Sequence, residues 1–363
     1  MFSHVPAALP ARPPLMVVLH GCAQTAAAYD LGAGWSTLAD RYGFAILLPE
    51  QQRSNNPQNC FNWFQPGDIA RDQGEALSIR QMIDTMVAAH GIDRDRIFVT
   101  GLSAGGAMTS VMLATYPDVF AGGAIIAGLP YRSATNVQQA LESMFQSPAR
   151  PARDWGDLVR AASPHKGPWP RVSVWHGGAD ATVTPGNANE IVKQWTNVHG
   201  LPAVPTREDI VDGYPRQVWR NAAGDEIVES YTIAHMAHGT PLATRAAEER
   251  YGVAGPFFIE AGISSSYHIA KFFGLVTQAR AATAAKDIPL AIRLAQSHAP
   301  QPDAGKPKEP EAREPEPQVL EGEILEKETE ARAEPPRAPH GRSFDIHAII
   351  TKALRAAGLM KTP

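Results

Sequence analysis

Cysteine is nearly absent: Cys22 and Cys60 are the two among 363 residues. Two are too few for a disulfide scaffold, and their separation is not that of a metal site. Charge of either sign is in short supply as an excess, since 33 Lys and Arg against 37 Asp and Glu leave a formal net charge of −4. Such a chain lacks the electrostatic footprint of a nucleic-acid binder or of a protein drawn to an anionic membrane. Long apolar runs are missing as well, because FAILL and GGAIIAGL are far too short to span a bilayer. The opening MFSHVPAALPARPPL has no basic head followed by an apolar stretch. No secretory signal is therefore expected, and the given start points to the cytoplasm.

What is present is the composition of a globular protein, 44% hydrophobic. From Pro14 onward, short β-rich runs alternate with longer helical patterns. LMVVLH (15–20), FAILLP (44–49), RIFVTG (96–101), GGAIIAG (122–128) and RVSVWHG (171–177) are near-continuous apolar runs, as expected of strands buried on both faces. Residues 72–90 place Ile79, Met82, Ile83 and Met86 on one helical face and stop at Gly91; residues 104–115 form a second helix directly after a strand. The alternation predicts an α/β protein with a mostly parallel central sheet and helices on both faces. RQVWR and EIVESYTI flank NAAGD, which predicts an antiparallel hairpin turned at Gly224. Residues 131–170 form a long insertion with helices expected near 136–145 and 155–162, placed as a cap over a site.

The composition changes after Ala299. Residues 300–342 are rich in Pro and Glu and contain no Phe, Trp or Tyr, so a disordered linker is expected there. Order should return over 343–360, where Ile346, Ile349, Ile350, Ala353, Leu354 and Ala357 make an apolar helical stripe ending at Gly358. That stripe needs a cover, either the catalytic domain itself or the surface of a granule or protein.

The residues that carry chemistry begin with Gly101-Leu102-Ser103-Ala104-Gly105, a G-x-S-x-G between a buried strand and a helix. A serine in so tight a turn has strained backbone angles and needs neighbours two residues away without side chains; its hydroxyl then stands above the sheet at a helix N-terminus. A serine hydroxyl needs a base, and the base needs an orienting carboxylate. Asp180 is the candidate orienter, in the Gly-rich loop just past a buried strand. The base is sought in YTIAHMAHGTPLA, where His235 follows the strand exit and His238 lies deeper in the loop, next to Gly239. Reaching over the sheet edge to Ser103 favours His238. The loop after LMVVLH should supply an oxyanion donor, so the backbone N–H groups of Cys22 and Ala104 are the expected pair. His20 is read as structural, holding that loop.

HGCAQ, QNCFNWF (58–64), GLSAGGAM, the Asp180 loop and MAHGTPL, in this order, resemble the poly(3-hydroxybutyrate) depolymerase family of α/β-hydrolase esterases. The similarity runs from about Pro14 to Leu275. It implies the α/β-hydrolase fold over residues 14–299 and hydrolysis of carboxylic esters, with 3-hydroxybutyrate polyesters or oligomers as named substrates. Feruloyl and acetylxylan esterases share much of the pattern. It also implies His238 as the catalytic histidine and a bridge between Cys22 and Cys60 pinning the Trp63 loop, against which stand two reduced thiols. Trp63 is either an apolar wall for the acyl chain or a core residue. The family fold usually opens with an additional pair of strands. With residues 1–13 read as a short segment, those strands are absent or precede the given start, and in the latter case the protein is extracellular. No metal or organic cofactor is implied. A serine peptidase of the same fold and a granule-binding protein are the other classes left open.

Overall fold

A computed structural model of the chain describes residues 1–245 and 251–276. In chain order the elements are β1 (Phe2–His4), β2 (Leu15–Leu19), α1 (Ala26–Ala33), α2 (Trp35–Tyr42), β3 (Ala45–Leu48), α3 (Gly74–His90), β4 (Ile97–Leu102), α4 (Ala104–Thr115), β5 (Gly122–Ile126), α5 (Val137–Gln146), α6 (Ala152–Arg160), β6 (Arg171–Gly177), α7 (Gly186–Val198), β7 (Arg207–Val211), β8 (Tyr214–Arg220), β9 (Glu226–Ile233), β10 (Thr240–Leu242), β11 (Phe258–Glu260) and α8 (Ser265–Phe272). The linker and tail helix expected over 300–360 lie outside the described residues.

Among the described residues nine strands form one sheet in the order β1-β3-β2-β4-β5-β6-β9-β8-β7. The six central strands from β3 to β9 are parallel, and β1, β8 and β7 are antiparallel additions at the two edges. β2, β3, β4 and β5 are buried at every position, which is why their sequences are continuous apolar runs rather than alternations. One face of β2 (Leu15, Val17, Leu19) packs in a core cluster with α3, α4 and α7; the other (Met16, Val18) packs with α1, α2 and α8. The expected layered α/β architecture is therefore present.

The structure adds to the sequence reading at several points. Residues 1–13 are not merely an extension, because Phe2–His4 pairs antiparallel with Leu48–Ile46 as an edge strand. Three residues are too few to show a period-2 pattern. The Gly224 hairpin (φ 89°) is there between β8 and β9, and β7 extends it to three strands. α1 and α2 are separate helices because Gly34 (φ 76°) ends the first in the left-handed region, and a Cβ at that position would collide with the Gly252 backbone. The 131–170 insertion holds α5 and α6, which pack on α7: Trp155 Nε1 donates to Glu190 at 2.7 Å, and Thr184 N donates to Met144 O at 2.8 Å.

The parallel registers bring the carboxyl ends of the central strands to one edge. Leu19 pairs with Gly101, Leu102 with Ile126, Ile126 with Trp175, and Gly177 with Ile233. The loops that begin at His20, Ser103, Gly178 and Ala234 consequently leave the sheet side by side.

Candidate active site

Ser103 is the single residue between β4 and α4. Its φ of 57° and ψ of −117° lie in a region that residues with a Cβ rarely adopt. The conformation is held by Ser103 N donating to Ile126 O at 2.9 Å and by Ala107 N donating to Ser103 O at 2.8 Å. Gly105 is required because a Cβ there would strike the carbonyl oxygens of Leu19 and His20; at Gly101 it would strike the Gly105 backbone. Although Ser103 occupies the N-cap position of α4, its side chain makes no capping bond. The hydroxyl is left for another partner at the positive end of a buried helix.

Two adjacent loops bring Asp180 and His238 together. Gly178 N donates to Ile233 O (2.8 Å) and Ala179 N to Met236 O (3.0 Å), and a Cβ on Gly177 would collide with the Met236 carbonyl. Within this clasp His238 Nδ1 donates to Asp180 Oδ2 at 2.7 Å. Asp180 Oδ1 accepts from Thr182 N and Val183 N, each at 2.9 Å. Burial opposes ionisation of Asp180, yet the hydrogen bonds from His176 and His238 outweigh it and hold the carboxyl well below the usual carboxylate range. His238 is buried against the edge of the Phe257 ring, whereas His235 is exposed. An imidazole that gives Nδ1–H to a carboxylate keeps Nε2 as a proton acceptor.

The loop after β2 is braced from outside. His20 Nδ1 donates to Gly21 O at 2.8 Å, and its Nε2 accepts from Gln51 N at 3.1 Å. Burial lowers the basicity of this ring, as a neutral donor–acceptor role requires. Gly21 abuts the Ser103 Cβ, so this loop flanks the serine. The N–H groups of Cys22 and Ala104 have no internal acceptor among the described residues, which leaves two donors beside Ser103. Cys22 and Cys60 are joined by a disulfide. Trp63 is 5% exposed, edge-on to Phe64 and within the main core cluster, so its packing is that of a core side chain.

Sequence reasoning missed three members of this constellation. His176 lies 3.3 Å from Asp180 Oδ2. Gln51 links His20 to the disulfide segment, with Nε2 donating to Cys60 O at 3.1 Å. Glu75 of α3 accepts from Gln51 Nε2 and from Asn62 N. The position of His176, one helical turn's length before Asp180 in WHGGAD, was a usable signal; Glu75 offered none.

The sheet order, the strained serine and the Asp–His pair on one edge define a serine hydrolase of the α/β-hydrolase class. A family model described as "Esterase PHB depolymerase" matches residues 2–208, and the chain belongs to that family. It is accordingly a carboxylic ester hydrolase. It is 50% identical to a poly(3-hydroxyalkanoate) depolymerase C of Paucimonas lemoignei over 76% of this chain and 67% of that protein. It is 35% identical to an acetylxylan esterase of Coprinopsis cinerea over 66% of this chain and 65% of that one, so it spans about two thirds of the length of these relatives. A feruloyl esterase B of Neurospora crassa is 34% identical over 66% of this chain and 83% of its own length. Among solved structures, an acetyl xylan esterase from Aspergillus awamori matches with a TM-score of 0.63 at 24% identity, over 75% of this chain and 93% of that one. That likeness supports the fold.

Proposed function

We propose that Ser103, His238 and Asp180 hydrolyse carboxylic esters through an acyl-enzyme. The observation that carries this reading is the 2.7 Å bond from His238 Nδ1 to Asp180 Oδ2 at the sheet edge that also bears the strained serine. His238 Nε2 takes the Ser103 proton as Oγ attacks the ester carbonyl, and returns it to the leaving alcohol. Asp180 holds the tautomer and balances the imidazolium. The Cys22 and Ala104 N–H groups receive the negative charge that develops on the carbonyl oxygen, each worth about 10²–10³ in rate. Water then repeats the sequence on the acyl-enzyme.

For the substrate, identity of 50% to a poly(3-hydroxyalkanoate) depolymerase favours 3-hydroxybutyrate-type polyesters or oligomers. The acetylxylan and feruloyl esterase relatives, at 35% and 34%, favour acyl groups on polysaccharides as the second reading. The Cys22–Cys60 bond supports an oxidising compartment over the cytoplasm. Ser103→Ala should abolish turnover of p-nitrophenyl butyrate, and retained turnover would sink the assignment. Parallel assays on 3-hydroxybutyrate oligomers and on feruloyl and acetyl-xylan esters separate the two substrate readings.

A further inference from the structure

β6 ends in Trp175-His176-Gly177, and strand alternation sends Val172, Val174 and His176 to the same face. There the His176 ring is 2% exposed. Its Nε2 lies 2.8 Å from Val183 O and 3.3 Å from Asp180 Oδ2. Both neighbours are acceptors, so Nε2 carries the hydrogen, donating to Val183 O with Asp180 Oδ2 beside it. Its Nδ1 is buried without a partner. A proton there would be an unsatisfied buried N–H, so the hydrogen belongs on Nε2.

Asp180 therefore accepts three N–H groups and has a fourth, on His176, within 3.3 Å. Thr182 and Val183 fill Oδ1, while His238 (2.7 Å) and His176 (3.3 Å) share Oδ2. The two imidazoles meet one oxygen through opposite tautomers, Nδ1–H from His238 and Nε2–H from His176.

We propose that His176 is a positioning residue for the reaction: by holding its Nε2–H 3.3 Å from Asp180 Oδ2 it fixes that carboxylate and tempers its basicity. The inference rests on the triad reading of Ser103, His238 and Asp180. Its physical content is a competition for one oxygen. A carboxylate relieved of one donor is more basic and holds an imidazolium on Oδ2 more tightly. With His176 in place, the His238–Asp180 couple stays in its base form further into acidic solution. The titratable groups on other elements packed against β6 have partners of their own: Glu229 on β9 is bonded to Ser173 Oγ and Arg216 Nε, and His268 on α8 to Asp212. On α7, which packs on β6, Glu190 is bonded to Trp155 Nε1 and Lys193 Nζ, and His235 on the neighbouring loop is exposed.

The test is the pH profile of kcat/KM on p-nitrophenyl butyrate for the full chain and for His176→Leu, His176→Gln and His176→Asn. Glutamine can place an amide N–H near the Nε2 position, asparagine is too short to do so, and leucine has no donor. His176→Leu should move the acid limb up by roughly half a pH unit to one unit, and His176→Gln should recover at least half of that displacement. An acid limb that stays at the wild-type position in His176→Leu, whatever its thermal midpoint, would overturn the proposal. If His176→Leu does not fold, the asparagine–glutamine comparison decides: displacement in the first alone supports the role, and displacement in neither removes it. The Ser103→Ala control keeps this outcome distinct from a failure of the triad itself, since only that failure leaves turnover in the serine variant.

Discussion

His238 and His235 are three residues apart in YTIAHMAHG, and their surroundings separate them. His238 is buried with Nδ1 on Asp180, while His235 is exposed at a left-handed position (φ 60°) just past β9. Removing the base from an otherwise intact triad typically costs at least about 10³-fold in kcat. His238→Ala should therefore be as inactive as Ser103→Ala towards p-nitrophenyl butyrate, and His235→Ala should keep most of its activity; the reverse pattern would exchange the two assignments. Ser103, Asp180 and His238 could be read from the sequence because each is tied to a local signature: two glycines around the serine, a Gly-rich loop after a strand, and a histidine followed by glycine. Glu75 and Gln51 could not. Their significance comes from contacts between segments far apart in the chain, with Glu75 reaching Asn62 N at 2.8 Å, and neither stands in a recognisable pattern. Trp63 shows the opposite case, a residue in a suggestive motif whose side chain lies in the core.

Elements were legible where burial writes a pattern. β4 and α4 fall within a residue of their expected limits because a β-rich run meets the Gly101-Leu102-Ser103-Ala104-Gly105 turn. β10 and β11, which pair with each other in parallel at only three residues each, left no periodic trace. Between β3 and α3 the packing creates a pH-sensitive join. Glu75 near the start of α3 sits in the wall of a cavity of about 470 Å³, together with Glu50, Gln51, Asn62 and Asp68. Burial pushes its carboxyl from an ordinary 4.5 up to about 7, with neighbouring Asp68 adding to the rise and the donors Asn62 N and Gln51 opposing it. Between those two values the folded chain holds a proton that the unfolded chain has released. Stability must then fall as pH rises across that window and level off above it. Glu75→Gln mimics the protonated form and removes the effect. The thermal midpoint of the variant should gain on wild type from pH 5 to pH 7.5, and a difference constant with pH would show that Glu75 does not titrate in this range. The comparison as a difference cancels the other buried titrating groups.

At the scale of the whole molecule, the proposed chemistry and its supports all lie within residues 20–240: the loop after β2, the serine turn, the Asp180 loop and the His238 loop converge on one sheet edge. Residues 300–363 are not among these groups; their sequence is a Pro/Glu-rich stretch followed by apolar residues at helical spacing, and attachment to a surface is the role we propose for them. Turnover of a small dissolved ester depends on the site alone, whereas attack on an insoluble polyester also depends on how long the enzyme stays at the particle. A second weak contact carried on the same chain raises the local concentration of the site at that surface without altering its chemistry. Deleting residues 300–363 should thus leave kcat/KM for p-nitrophenyl butyrate at the level of the full chain. The same deletion should reduce the fraction that pellets with poly(3-hydroxybutyrate) granules and the rate at which they are cleared. Equal pelleting of both forms would assign attachment to the catalytic unit, and a loss of small-ester turnover would show that the tail stabilises that unit instead.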